Sequence, residues 1–271
     1  MGSLSVRGVH LIGPPADPFL FSFPSPMDAM ILAAGLGTRL RPLTNEVPKA
    51  LVEVAGVPML ERVARRVIAA GADRLLVNVA YLGERVADYV EQAGWDVDEV
   101  VVSDEPGGPY ETGGGLKYAA DFFRRDAPFL MHNADILTDV DLSALYRAHT
   151  ESDDGRLATL ACRTVDTDRY LLFDSGGLLG YAYEGEEHPK RKAQGNPSRL
   201  DFCGVQVCAP ELLDIVSAVD EQKFSIMTSY LRLAGQGRRI AAFDGGHACM
   251  DVGTHERLEE ATAAVEAGTI S

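Results

Sequence analysis

Short apolar runs alternate with amphipathic stripes from Met30 onward. The run AMILAAG, Ala29 to Gly35, has the length of a buried strand and ends in glycine. In PMLERVARRVIAAG the apolar residues Leu60, Val63, Ala64, Val67 and Ile68 fall at i, i+3, i+4, i+7 and i+8, one face of a helix closed by Gly71. RLLVNVA predicts a strand, and Val86, Tyr89, Val90 and Ala93 a helix. EVVVSDE and a stripe of Leu116, Ala119, Ala120 and Phe123 repeat the alternation, and so do APFLMHNADI and DLSALYRAH. Such β–α repeats predict a parallel sheet between two layers of helices.

After Ser152 the rhythm changes. LATLACRTV, RYLLFD, GLLGYAYE and LDFCGVQVCA are strand-like and are separated by turn signals such as DSGG and GNPSR. Two helices follow, striped by Leu212, Leu213 and Val216 and by Met227, Tyr230, Leu231 and Ala234. A last strand, RIAAFDGG, leads through CMDVGT into a terminal helix. The expected fold is α/β, a Rossmann-like three-layer sandwich with a mostly parallel central sheet and a small inserted β region. One domain is expected over residues 27–271, with halves 27–152 and 153–271. Residues 1–26 carry prolines at 14, 15, 18, 24 and 26 and predict an irregular extension.

Composition narrows the function. The formal net charge of -15 argues against nonspecific binding to nucleic acid or to anionic membranes. No run approaches the ~18 apolar residues of a membrane span. The 4 cysteines, Cys162, Cys203, Cys208 and Cys249, show no zinc spacing and are expected as buried thiols of a cytoplasmic protein. The 6 histidines show no metal spacing either, and His247 and His255 flank Asp251 as bystanders.

Against this acidity, Arg39, Arg41 and Lys49 gather around the turn Gly35-Leu36-Gly37, with only Glu46 nearby. Glycines at a strand's carboxyl end let backbone N–H groups approach a phosphate, and arginine and lysine supply its counter-charges. A dinucleotide fingerprint would need glycine where Leu40 stands, and Pro42 ends the helix it requires, so a dehydrogenase is disfavoured. A P-loop would need GKS or GKT, which is absent.

The combined string, GxGTRxxPxTxxxPKxL, resembles the N-terminal signature of the sugar-1-phosphate nucleotidylyltransferases, and the likeness runs from Met30 to about Glu260. The resemblance implies that Ala33, Ala34, Gly35, Gly37 and Thr38 meet the nucleotide and that Arg39 and Lys49 neutralise its phosphates. Asp135 and Asp251 each stand where a strand gives way to a turn. As residues alone they read equally as turn formers; the resemblance implies that they hold a catalytic Mg²⁺. Ala134 departs from the family's usual glycine, and its methyl is expected on the ligand side.

The resemblance also puts Glu105, Thr112 and Gly113 at the nucleotide. Gly113, Gly114 and Gly115 open a helix whose N-terminus is expected to present free N–H groups. On the sugar side it implies Asn133, Glu184 and Gly204. Gly185 stands in place of a lysine that relatives use for the sugar phosphate, and Lys190 and Lys192 are expected to be solvated. The implied partners are a nucleoside triphosphate and a sugar 1-phosphate; the oligomeric state is left open. Two rivals stay in play. One is transfer to phosphocholine, for which Tyr170, Phe173, Tyr181 and Tyr183 would form an aromatic cage. The other is a catalytically silent nucleotide-sugar-binding module.

Overall fold

The computed structural model describes residues 26–245 and 248–270. All of the expected N-terminal extension except Pro26, and also His247, lie outside the described residues. The first half runs β1 (Met27–Leu32), the small hairpin β2 (Glu53–Val54) and β3 (Val57–Pro58), α1 (Met59–Ala69), β4 (Ala72–Val79), α2 (Gly83–Ala93) and β5 (Glu99–Asp104). It continues with α3 (Glu111–Tyr118), β6 (Phe129–Asn133), β7 (Ile136–Thr138) and α4 (Leu142–Thr150). The second half holds β8 (Ala158–Thr164), β9 (Tyr170–Asp174), β10 (Gly177–Tyr183), β11 (Glu186–Pro189) and β12 (Ser198–Cys208). Then come α5 (Glu211–Ser217), α6 (Ile226–Gly235), β13 (Ile240–Asp244), β14 (Cys249–Asp251) and α7 (His255–Glu266).

One ten-stranded sheet carries the fold, in the order β11-β10-β9-β12-β6-β1-β4-β5, with β8 on β12 and β13 on β8. Strands β6, β1, β4 and β5 are all parallel, as their β–α spacing predicts. The later strands do not form a separate insertion. The long strand β12 pairs antiparallel with β6, β8 and β9 and so extends the same sheet.

Both faces of the parallel half are buried, which is why its strands read as nearly continuous apolar runs. Along β1, Ala29 and Ile31 face a cluster with Leu60, Val63 and Val67 of α1, while Met30 faces the opposite cluster with Leu116 and Tyr230. At the edge of this core Asp28 is buried but paired, accepting from the guanidiniums of Arg124 at 2.8 Å and Arg74 at 3.2 Å.

Three boundaries differ from the sequence pattern. The run through APFLMHNADI breaks at Ala134-Asp135, and β7 beyond it leaves the main sheet to pair with β14. The last strand likewise divides into β13 and β14. Helix α3 stops at Tyr118 and a 3-10 turn carries Ala120–Phe122, since three consecutive glycines leave α3 little intrinsic helicity. In α6 the stripe also splits: Tyr230 and Ala234 are in the core, whereas Met227 and Leu231 wall a cavity.

Two buried histidines make stability depend on pH. His132 lies on β6 with Nδ1 against the Asn133 carbonyl at 2.8 Å, and His149 on α4 has Nδ1 against the Thr159 hydroxyl at 3.0 Å. Burial pushes both down from 6.5 to about 4. The unfolded chain therefore binds more protons than the fold between these values, so stability is full above about 6.5 and falls as pH drops towards about 4. Urea midpoints measured across this range should decline with acid, and His149→Gln should flatten the decline.

Candidate active site

The glycine loop leaves the end of β1 and is pinned from behind. Ala33 donates its N–H to Asn78 Oδ1 at 2.8 Å, Thr44 donates its hydroxyl to the Gly37 carbonyl at 2.7 Å, and Leu40 is fully buried. Gly37 has φ +63, a left-handed conformation, and a Cβ there would meet Thr44 Cγ2 at 2.9 Å. The loop then enters a 3-10 turn over Thr38–Leu40, with no helix following it. Gly35 and Thr38 are exposed, and Ala34 and Gly35 line a cavity. His255 sits off to the side, its Nε2 donating to the Arg41 carbonyl at 3.2 Å.

The two aspartates converge. In the β7–β14 pair Asp251 stands opposite Ile136, one residue after Asp135, and Val252 donates its N–H to the Asp135 carbonyl at 2.9 Å. Lys49 lies between the two carboxylates. Its ammonium pairs with Asp135 Oδ2 and stands 4.0 Å from Asp251 Oδ1, with only 11% of its side chain exposed. Arg39, well exposed, reaches Asp251 at 3.8 Å. Gly253 lets these two meet, since a Cβ there would strike the Arg39 guanidinium and come within 3.0 Å of Asp251 Oδ1. The cluster thus holds two carboxylates aimed at one point and two cations beside them. Ala134 is buried beside Ala33 and Ala50, and it lines a small cavity with Gly35, Lys49 and Asp135, on the side of the cluster as expected.

Two cavities flank this cluster. One, of about 300 Å³, is lined by Ala34, Gly35, Asn78, Thr112, Asn133 and Asp135 among others. The other, of about 840 Å³, lies over the antiparallel half and includes Asn133, Gly204, Asp251, Arg163, Arg169 and Tyr181 in its wall. Asn133 is common to both. Gly204, at φ +68, forms a bulge in β12 where a Cβ would come within 2.8 Å of Asn133 Nδ2.

Several expected residues are placed differently. Glu105 is buried, with one oxygen accepting from Asn78 Nδ2 at 2.7 Å and the other from the Tyr110 N–H at 2.7 Å. Desolvation raises its pKa. Buried behind the loop, it orients Asn78, which the sequence pattern left as an ordinary strand residue. The N–H groups of Gly113 and Gly114 are not free either, because both donate to the Phe224 carbonyl, at 2.9 and 3.1 Å. Thr112 lines the smaller cavity, yet its hydroxyl accepts from the Ile226 N–H at 2.9 Å. Glu184 (φ +51) and Gly185 (φ +79) form the tip of the β10–β11 hairpin, a two-residue turn that requires positive φ, and Glu184 does not line the larger cavity. Lys190 and Lys192 are exposed, as expected. Sequence reasoning missed Arg163 and Arg169, because nothing local marks a cation on a β8 edge or in a loop as facing a cavity.

Comparison with known proteins gives a consistent picture. Residues 28–268 match the family model described as nucleotidyl transferase. An N-acetylmuramate alpha-1-phosphate uridylyltransferase of Caulobacter vibrioides is 33% identical over 216 residues, 79% of this chain and 87% of that protein. A protein of the same description from Neisseria meningitidis serogroup B is 32% identical over 242 residues, 88% of this chain and 97% of that one. Among solved structures, a UDP-glucose pyrophosphorylase from Acinetobacter baumanii has the same fold, with a TM-score of 0.68 at 17% identity over 88% of this chain and 92% of that one.

The packing of Gly113 generates a test. A Cβ on Gly113 would collide with the Phe224 ring. Gly113→Ala should lower stability by about 1–3 kcal/mol, the usual cost of overpacking, read as a reduced urea midpoint. Full stability with loss of nucleotide affinity alone would return Gly113 to the ligand face.

Proposed function

The chain belongs to the nucleotidyl transferase family, and on that premise we propose that it transfers a nucleotidyl group from a nucleoside triphosphate to a sugar 1-phosphate, releasing pyrophosphate. The observation that carries this reading is the charge cluster of Arg39, Lys49, Asp135 and Asp251 standing between two cavities that share Asn133. One cavity suits a nucleotide and the larger one an acceptor, so the phosphates of both would meet at the cluster.

The chemistry asks little of the protein beyond position and charge. A sugar phosphate is already nucleophilic at neutral pH. Its oxygen attacks the α-phosphorus, a new P–O bond forms, and the bond to the β-phosphate bridging oxygen breaks, with its electron pair leaving on pyrophosphate. No general base is required, and no described histidine lines either cavity. Arg39 and Lys49 hold the two anionic substrates together and offset the charge that develops in transfer. Asn133, at the wall between the cavities, is positioned to donate to either substrate.

Asp135 and Asp251 fit a Mg²⁺. Both approach one ammonium, so their oxygens already converge on a cationic point, and carboxylate oxygen is the donor this ion takes. Among the described residues no cluster of three or more ligating side chains exists, so the rest of the ion's coordination would have to come from waters and substrate phosphates. Bound there, Mg²⁺ would neutralise phosphate charge. Lys49 meanwhile gains phosphate oxygens as partners in place of the carboxylates.

The relatives' descriptions make UTP and N-acetylmuramate 1-phosphate the first substrate pair to test; the setting proposed for it is cytoplasmic synthesis of cell-wall precursors. Phosphocholine is a poorer acceptor. Phe173 is buried in the core and Arg163 and Arg169 line the cavity, so a choline head would lose one aromatic wall and meet two cations. A silent binding module would have no use for the full set of two carboxylates and two cations.

Pyrophosphate release, measured with Mg²⁺ over a grid of nucleoside triphosphates against sugar 1-phosphates and phosphocholine, should give a signal with one pair. Lys49→Ala and Asp251→Ala should each lower turnover at least about a hundredfold, the scale of losing one electrostatic contact in a transition state, with the fold retained by circular dichroism. Folded protein silent across the whole grid, or a fully active variant, would overturn the assignment.

A further inference from the structure

Of the charged residues in the wall of the acceptor cavity, Asp251 belongs to the charge cluster and Asp201 faces Arg163, which leaves Arg169 unanswered. The phosphate of a sugar 1-phosphate must lie at the charge cluster, where Arg39 and Lys49 already answer it. Yet Arg163 and Arg169 line the same cavity. Arg163 is a fixed part of the wall: Nη1 donates to the Cys249 carbonyl at 2.8 Å, Nη2 stands 3.5 Å from Asp201, and Nε is buried without a partner. Arg169 is different. It is exposed, in the loop immediately before β9, and its guanidinium has no hydrogen-bond or ion-pair partner among the described residues.

The sheet sets its distance from the cluster. Strand β9 lies two strands from β6, in the order β9-β12-β6, and β6 ends at Asn133. Two strand spacings are roughly 10 Å. A hexose ring with one substituent spans that gap. A cation placed one sugar away from the reacting phosphate is suited to an acid on the sugar, and the bidentate fork of arginine matches a carboxylate.

We infer that Arg169, beside the fixed Arg163, selects acceptors whose sugar ring carries a carboxylate in addition to the 1-phosphate. This rests on the sugar-phosphate reading given above. Arg169 is the specificity-determining group, and Arg163, tied to the Cys249 carbonyl and facing Asp201, is a fixed part of the wall.

The test compares kcat/KM for N-acetylmuramate 1-phosphate with that for N-acetylglucosamine 1-phosphate, the same ring without the lactyl acid. The wild-type protein should prefer the acid-bearing acceptor. Arg169→Ala should reduce that preference at least tenfold, mainly through KM, and Arg169→Lys should keep part of it. General structural damage lowers both acceptors together and does not move the ratio. Equal rates with the two acceptors in the wild type, or an unmoved ratio in Arg169→Ala, would overturn the proposal while nucleotidyl transfer stands. If folded protein uses neither acceptor but turns over another sugar 1-phosphate, this inference falls and the functional reading stands; silence with every acceptor and nucleotide overturns both.

Discussion

Asp251 stands opposite Ile136 in a pair of three-residue strands, and that register carries a carboxylate from the far end of the chain to Lys49. The pairing is short, but it is backed on one side by Val252 and Leu137 in a small core with Ala261 of α7. Everything chemical in the site follows from it. Lys49 is nearly buried, and a buried ammonium without partners would be costly, so the two carboxylates offset its burial and hold it in place. Conversely, two carboxylates this close would repel each other without the cations. Each sign makes the other tolerable. A chain of net -15 can therefore keep a local point where phosphate charge is welcome.

A second constraint lies behind the loop. Glu105, on the strand side, holds Asn78, and Asn78 holds the Ala33 N–H. The relay is buried and every link is hydrogen-bonded, which makes such a network a rigid specifier and not a liability. Gly115 belongs to it, because a Cβ there would lie 2.6 Å from Glu105 Oε1. Gly113 and Gly114, immediately before it, let the backbone of α3 press against Phe224 and Gln222. The three glycines thus serve close packing at successive positions, and the helix accepts low propensity in return.

How much of this the sequence disclosed depends on where each residue's partners lie. The glycine loop was legible because Gly37, Arg39 and Lys49 fall within fifteen residues and form one string, and the alternating runs made the parallel half plain. The roles of Glu105 and Gly113 were misread because their partners are set by tertiary packing: Asn78 is on a neighbouring strand and Phe224 is half the chain away. Glu184 fell to the hairpin tip because Glu-Gly between two strand-like runs is itself a turn signal, visible once β11 is recognised as a strand. The break at Ala134-Asp135 hid because apolar residues continue on both sides of it.

The two halves of the site are built by different rules, and that difference bears on how specificity is set. On the nucleotide side, side chains project from loops at the ends of parallel strands, so their positions are locked by a sheet buried on both faces. On the acceptor side, the wall is built from antiparallel strands β9, β10 and β12, and consecutive residues reach it, Tyr170 with Leu171 and Tyr181 through Tyr183. Tyr181 also packs against the large core, and Ala182 also packs with Leu172 and Leu179. Substitution at these positions reaches the core as well as the cavity, whereas Arg169 and Tyr183 are exposed and can change without disturbing it. The charge cluster, held by β7 and β14 at the junction, is common to both halves. A fold of this kind can keep its transfer chemistry fixed while the exposed residues of the acceptor wall change.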